Sequence, residues 1–380
     1  MLRTNHKGGL WLTSAAFLLV VGFLYLPVLL VWRANIPEST DGLCLVDSSF
    51  ISLLGEVGKA SRLQEFSNSG PLKAGIVESE TLLDDGVLQY TRTQGGATPN
   101  LLWLAMAYDN SSWGPNKDLK PRTLEDFLQI VLSQYDMEAT SLGLLTSSPD
   151  EYAIYKSTLQ RYDFPRVTVF MHQGFHDGPT IDRNHRHDAN VQTIRRAEMS
   201  KLRNYLMLRT LQQERHILWL DADVNRLDDG IVRRMVSHAH EREDVGILTA
   251  RCSMGGMENY DLNAWRGTRQ GPRGWDLSEE EISRGEMELQ GQHHVSELIR
   301  NTTNNDLVSL DTVGATILYI RASLVWRGLS FPHQYVIGTR WGKDGWDGIE
   351  SEGLCYRARG LRGGKCMVLG GGWHVEHTIG

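Results

Sequence analysis

Cysteine is scarce: the 380 residues hold four, at 44, 252, 355 and 366, with no CxxC pair. That spacing argues against a structural zinc site. Cys355 and Cys366 are close enough to bridge a short loop in an oxidising compartment, and a pair of buried free thiols fits the same sequence equally well. Runs of Lys and Arg are also missing and the net charge is −7, so nucleic acid is not expected as a partner. No internal repeat appears.

What is present is apolar residue enough, at 41 % of the chain, for one large core or two modest ones. One charge-free run stands out, Leu10–Trp32. As a helix it would be roughly 34 Å long, sufficient to cross a hydrocarbon layer. Trp11 and Trp32 stand at its ends, where interfacial aromatics are expected, and Pro27 is not followed by a small-x-small cleavage site. The reading is a retained anchor over 10–32, with a cytosolic tail (1–9) carrying Arg3, His6 and Lys7 and the remaining chain lumenal. Residues 33–89, rich in Ser, Gly and Glu, read as a stem, and 90–380 as the folded domain. Two sequons, at Asn110 and Asn301, fit a lumenal placement.

Beyond the stem, strands and helices alternate. Apolar strands are predicted at Asn100–Asp109, in SLGLLTSS, at Arg166–Gln173, in HILWLDAD and in VGILTARC. Between them lie helical patterns: PRTLEDFLQIVLSQYD, SPDEYAIYKSTLQRY with Ser148 as cap, and the long VQTIRRAEMSKLRNYLMLRTLQQ. Near-continuous apolar strands separated by helices predict an α/β fold around a mostly parallel sheet. Ser253–Gln292 reads as a long loop or lid, Val313–Val325 as a further strand, and WDGIESEGLCYRARGLRGGK as a loop entering a helix.

HILWLDADV ends a buried strand on two carboxylates, Asp221 and Asp223, separated by Ala222. Ligands of such sheets bind beyond the carboxyl ends of strands. Alternate strand residues stand ~6.5–7 Å apart on one face. If their carboxylates converge to ~5 Å they repel by about 3 kcal/mol at an effective dielectric of ~20. A divalent cation reverses that sign, and oxygen ligands suit Mg²⁺ or Mn²⁺. An Asp capping the next helix beside a solvated Asp is the simpler alternative.

The blocks RHDANVQTIRRAEMSKLRNYLMLRTL, RHILWLDADV and DGIESEGLCYRAR, with the closing WHVEH, resemble the fungal Golgi mannosyltransferases of the mannan polymerase complexes, glycosyltransferase family 62. The resemblance runs from about Leu101 to the C-terminus. It implies a GT-A domain behind a single N-terminal membrane helix. It also implies transfer of mannose from GDP-mannose to the mannan of N-glycans, with α-1,6 linkage, retention and Mn²⁺. Membership of a hetero-oligomer with homologous subunits follows from the same resemblance.

Carried onto this sequence, Asp221 and Asp223 match the metal and nucleotide-sugar motif and His377 the histidine that completes the metal site. Arg203 and Asn204, in LRNY, match the helix ahead of that motif, where they would contact the diphosphate or brace the acids. Arg195 and Arg196 precede them. The exit of the first strand, with Tyr108, is expected near the guanosine, although AMAYDN departs from the Thr-Pro exit typical of the family. Asp347, Glu350 and Glu352 are the acids expected to face the acceptor hydroxyl. Two alternatives stand beside this reading: an idle scaffold subunit of the same complex, and a haloacid-dehalogenase-type phosphatase using Asp221 as nucleophile.

Overall fold

The computed structural model describes residues 75–96, 98–175, 189–269, 289–339 and 345–378. Its first strands, β1 (Ile76–Leu82) and β2 (Leu88–Gln94), form an antiparallel hairpin. Assigned to the stem by sequence as far as residue 89, this hairpin is hydrogen-bonded into the main sheet through β2. Strand β3 (Leu101–Ala107) then leads through a 3₁₀ turn (Asn110–Trp113) to helix α1 (Leu124–Gln134). Strand β4 (Thr140–Thr146), helix α2 (Pro149–Leu159) and strand β5 (Arg166–Met171) follow. Ser148 caps α2, its hydroxyl accepting from the Glu151 amide at 3.3 Å, a bond generally worth about 1 kcal/mol.

Helix α3 (Ala189–Thr210) precedes β6 (His216–Leu220), the short β7 (Val224–Leu227) and helix α4 (Ile231–Glu241). Next come β8 (Val245–Thr249), β9 (Arg251–Ser253), β10 (Trp265–Arg269), β11 (Leu289–His294) and the one-turn α5 (Val295–Ile299). The chain closes with β12 (Leu307–Ser309), β13 (Ile317–Arg321), α6 (Ala322–Trp326), α7 (Ser351–Ala358), β14 (Lys365–Leu369) and β15 (His374–His377).

Ten strands make one sheet in the order β1-β2-β5-β4-β3-β6-β13-β8-β14-β12. Seven of them (β1, β3, β4, β5, β6, β8, β14) run in one sense, and β2, β13 and β12 oppose them. The expected α/β fold with a mostly parallel sheet is therefore observed. The Val313–Val325 segment departs from a single strand: β13 inserts antiparallel between β6 and β8, and the chain then turns into α6. Within the predicted loop at 253–292, β10 and β11 form a separate two-stranded ribbon.

Helices cover both faces of the sheet, which is why its central strands β3, β6, β8 and β13 are mostly apolar. Leu101, Trp103 and Ala105 of β3 pack toward α1, α2 and α4. Their neighbours Leu102 and Leu104 pack with Leu206 and Met207 of α3 and Leu354 of α7. Each such fully buried side chain contributes roughly 1.5–3 kcal/mol. A second, three-stranded sheet, β7-β15-β9, lies past the end of β6 and carries the last described residues back to the Asp221–Asp223 turn.

The expected placement as a single-pass Golgi membrane protein is corrected. Among the described residues no helix is long and apolar enough to cross a membrane. The longest, α3, spans a membrane's length but carries Arg195, Arg196, Lys201, Arg203 and Arg209, whose burial in hydrocarbon is prohibitive. The run at 10–32 lies outside the described residues.

Candidate active site

Strand β6 ends at Leu220, so the two aspartates occupy a tight turn rather than alternate strand positions. The Val224 amide donates back to the Asp221 carbonyl at 3.2 Å, and the Asp221 amide donates to Thr316 at 3.0 Å. The side chains of Asp221 and Asp223 keep 33 % and 30 % exposure, which leaves both acids reachable from solvent.

Helix α3 supplies the first countercharge. Arg203 is buried; its Nη2 donates to Asp221 Oδ1 at 3.1 Å and its Nε lies 3.1 Å from Glu350 Oε1. The guanidinium also stacks 5.0 Å over the Trp219 ring and 5.7 Å from that of Phe331, so its orientation is fixed on several sides. Two turns earlier Arg196 donates to Glu352 Oε2 at 3.1 Å and to the Ile349 carbonyl at 3.0 Å, with Glu350 at 3.7 Å. A relay results: Asp221, Arg203, Glu350, Arg196, Glu352. Burial raises the Asp221 pKa, Arg203 pulls it down, and Asp223 adds to the rise; the net direction is upward.

Asp347, Glu350 and Glu352 are all buried, at 1, 5 and 3 % exposure. Glu350 adopts φ 56°, one of two non-glycine positive φ values among the described residues, a cost of order 1–3 kcal/mol that concentrates at functional sites. Its amide is held by the Pro332 carbonyl at 2.8 Å. Asp347 Oδ1 accepts from the Gly348 amide at 2.7 Å.

Strand β15 brings His377 to the turn. Its Nε2 lies 2.9 Å from Asp223 Oδ1 and its Nδ1 donates to the Thr378 carbonyl at 2.9 Å. The Thr378 amide donates to the Asp223 carbonyl at 2.8 Å. Burial lowers the imidazole pKa, but Asp223, Thr378 and Asp221 together outweigh it and the net direction is upward. His374 faces elsewhere: Nε2 is 2.5 Å from Ser253 Oγ and Nδ1 is 3.3 Å from Arg226.

The other predicted residues are placed differently. Both ends of the Asn204 amide bond the Phe331 backbone, at 2.7 and 2.9 Å, so this residue pins α3 to a loop. Tyr108 lies just past β3 with its ring 59 % exposed. Two site residues escaped sequence reading. Asp261 accepts from the Asn263 amide at 3.2 Å and the Thr316 amide at 3.3 Å, and its charge bears on Asp221. A Cβ at Gly314 would meet its carboxylate at 1.7 Å, so only glycine lets it in. Arg122 donates to the Ala222 carbonyl, between the two aspartates, at 3.1 Å.

Asp221, Asp223 and His377 offer carboxylate and imidazole donors of the kind that suit a divalent cation such as Mn²⁺. The Nδ1 bond to Thr378 is also the support a metal-ligating histidine ordinarily has. The ligand geometry is not preassembled: among the described residues no group of three or more His, Cys, Asp or Glu is arranged to hold a metal ion. Asp221 and Asp223 are instead paired with Arg203 and His377.

A family model described as Anp1 matches residues 105–334. Among curated proteins, the chain is 27 % identical over 185 residues to the vanadate resistance protein of Candida albicans, covering 45 % of this chain and 40 % of that one. It is 28 % identical over 153 residues to the mannan polymerase complex subunit mnn9 of Schizosaccharomyces pombe, covering 39 % of this chain and 44 % of the relative. It is 28 % identical over 166 residues to the mannan polymerase I complex VAN1 subunit of Saccharomyces cerevisiae, covering 42 % and 30 %. The matches thus span less than half the length of these relatives.

Two solved structures are more distant. S. aureus TarS 1-349 has a TM-score of 0.39 at 10 % identity and covers 73 % of this chain and 60 % of its own. The mannosyltransferase PcManGT from Pyrobaculum calidifontis, in complex with GDP-Man and Mn2+, has a TM-score of 0.39 at 9 % identity, covering 74 % and 57 %.

Proposed function

The chain belongs to the Anp1 family, and from that premise we propose that it is a GT-A glycosyltransferase that moves mannose from GDP-mannose onto mannan of N-glycans. The linkage proposed is α-1,6, with retention, in a hetero-oligomer with homologous subunits. The similarity to subunits of mannan polymerase complexes supports this reading. The observation that carries it is the meeting of Asp223, on the turn after β6, with His377 on the last strand, at 2.9 Å.

In this account Asp221, Asp223 and His377 Nε2 are the donors that would hold a divalent cation, Mn²⁺. When bound, the metal supplies positive charge to the departing diphosphate. Arg203 opposes the upward push of burial on Asp221 and aims it, and is itself held by Glu350, Trp219 and Phe331. Asn204 fixes the helix that presents Arg203. Tyr108, exposed at the β3 exit, is assigned to the nucleotide. Asp347, Glu350 and Glu352 form the acceptor side, where a carboxylate orients the attacking hydroxyl and takes its proton. With retention proposed, attack from the same face as the leaving group is the route proposed with it.

The test is GDP-mannose turnover by the purified full chain with Mn²⁺. Asp221→Ala and Asp223→Ala, with folding verified by circular dichroism, are expected to abolish it; undiminished turnover in either would remove the pair from the mechanism.

A second reading, an idle scaffold subunit, is favoured by the pairing of both acids with the chain's own cations. Calorimetry with GDP separates the two readings, because a scaffold need bind GDP neither with nor without Mn²⁺.

A further inference from the structure

Arg122 lies beneath the Asp221–Asp223 turn, 4 % exposed. Its Nη1 donates to the Ala222 carbonyl at 3.1 Å and to the Trp113 carbonyl at 3.0 Å. Its amide donates to the Gly114 carbonyl at 3.0 Å. Its Nη2 is buried with no hydrogen-bond partner among the described residues. A guanidinium bonded through its side chain only to carbonyls is a costly group to bury. Both bonds leave one nitrogen, Nη1, whose two N–H groups join two segments distant in sequence.

Those two segments both reach the site. Ala222 is the residue between the paired acids. Gly114, with φ 66°, packs directly on the C-terminal segment: a Cβ there would stand 2.4 Å from Thr378 Oγ1. Thr378 in turn bonds Asp223 through its amide and His377 Nδ1 through its carbonyl. Arg122 is thus the tie between the β3 exit, the acidic turn and the strand that carries His377. Asp126 and Asp223 are the acids whose charge favours its own.

We infer that Arg122 is a positioning residue that fixes the Asp221–Asp223 turn relative to the His377 segment, so that both can serve one divalent cation. This rests on the metal-dependent reading given above. The probe is Mn²⁺ alone, titrated into the full chain and followed by the electron paramagnetic resonance signal of the free ion. Arg122→Gln and Arg122→Lys are compared with Arg92→Lys, a buried arginine whose Nη1 binds the Tyr162 carbonyl and which serves as a purely structural control. Thermal melts without metal are measured in parallel.

Arg122→Gln is expected to need about 10–100-fold more Mn²⁺, the range for residues that support metal ligands. Arg122→Lys, which keeps the charge and three N–H donors on one nitrogen, should fall between it and the wild type, and Arg92→Lys should bind Mn²⁺ as the wild type does. If Arg122→Gln does not fold, Arg122→Lys decides alone. Wild-type Mn²⁺ affinity in the Arg122 variants, whatever their melting temperatures, overturns the inference and leaves the functional reading standing. Wild-type protein that takes up no Mn²⁺ overturns both.

Discussion

His377 Nε2 and Asp223 Oδ1 stand 2.9 Å apart, joining the last strand of the fold to the turn that ends its central one. The other ring nitrogen is bonded to the Thr378 carbonyl, so the imidazole has an acceptor on each side. His377→Ala is expected to raise the Mn²⁺ concentration that half-saturates turnover by at least ~10-fold, in keeping with the sensitivity of metal sites to lost support. His374→Ala, which loses contacts to Ser253 and Arg226 only, should leave it unchanged. A Mn²⁺ titration of turnover checks both; an effect of His374→Ala alone would reverse the assignment.

Glu350 lies between two guanidiniums, Arg196 at 3.7 Å and Arg203 at 3.1 Å. Removing it leaves two largely buried cations short of a partner, and such losses generally cost about 3–5 kcal/mol. Glu350→Ala should show that loss in urea unfolding and should also abolish turnover. Glu214, which accepts from Ser141 at 2.5 Å and pairs with Arg166 in the interior, offers the comparison. Glu214→Ala should cost similar stability while the protein that remains folded turns over normally.

Burial, reinforced by the charges of His240, Arg321 and Arg215, pushes the pKa of His216 down to about 4. The unfolded chain takes up this proton near pH 6.5, whereas the folded protein refuses it until about 4. The contribution to stability is therefore intact above pH 6.5 and is lost as pH falls toward 4, by roughly 3 kcal/mol in all. Urea unfolding of the wild type across that window should fall off more steeply than that of His216→Gln. Parallel curves would show that His216 accepts its proton in the folded state.

Cys355 of α7 and Cys366 of β14 are joined by a disulfide, and Cys252 is free and buried. Closing a loop of this length restricts the unfolded chain by about 3 kcal/mol. The double substitution Cys355→Ala, Cys366→Ala should lower unfolding free energy by that order. Full stability in the double variant would mean the bridge contributes nothing.

The parts of the fold legible in sequence are those with one dominant force. Strands such as Leu101–Ala107 and Ile217–Leu220 are buried on both faces, so every residue is apolar and the pattern needs no context. The hairpin Ile76–Gln94 was hidden because its inward face carries Glu78 and Glu80, paired with Arg92 and Lys156, while Val77 faces out. Strands β7, β9 and β15 are too short to show a period; only tertiary pairing makes them strands. At the site, the acidic turn was visible from the residues themselves, and Arg203 and His377 only through the family resemblance of LRNY and WHVEH. Arg122 was not, because a Pro-Arg-Thr start to a helix is an ordinary surface pattern. Nor was Asp261, whose entry depends on the absence of a side chain at Gly314.

Calorimetry of GDP binding to the full chain, with and without Mn²⁺, tests the central claim most directly. The account predicts binding that requires Mn²⁺ in the wild type and disappears in Asp223→Ala. GDP bound equally with and without the metal, or not bound at all, would contradict it.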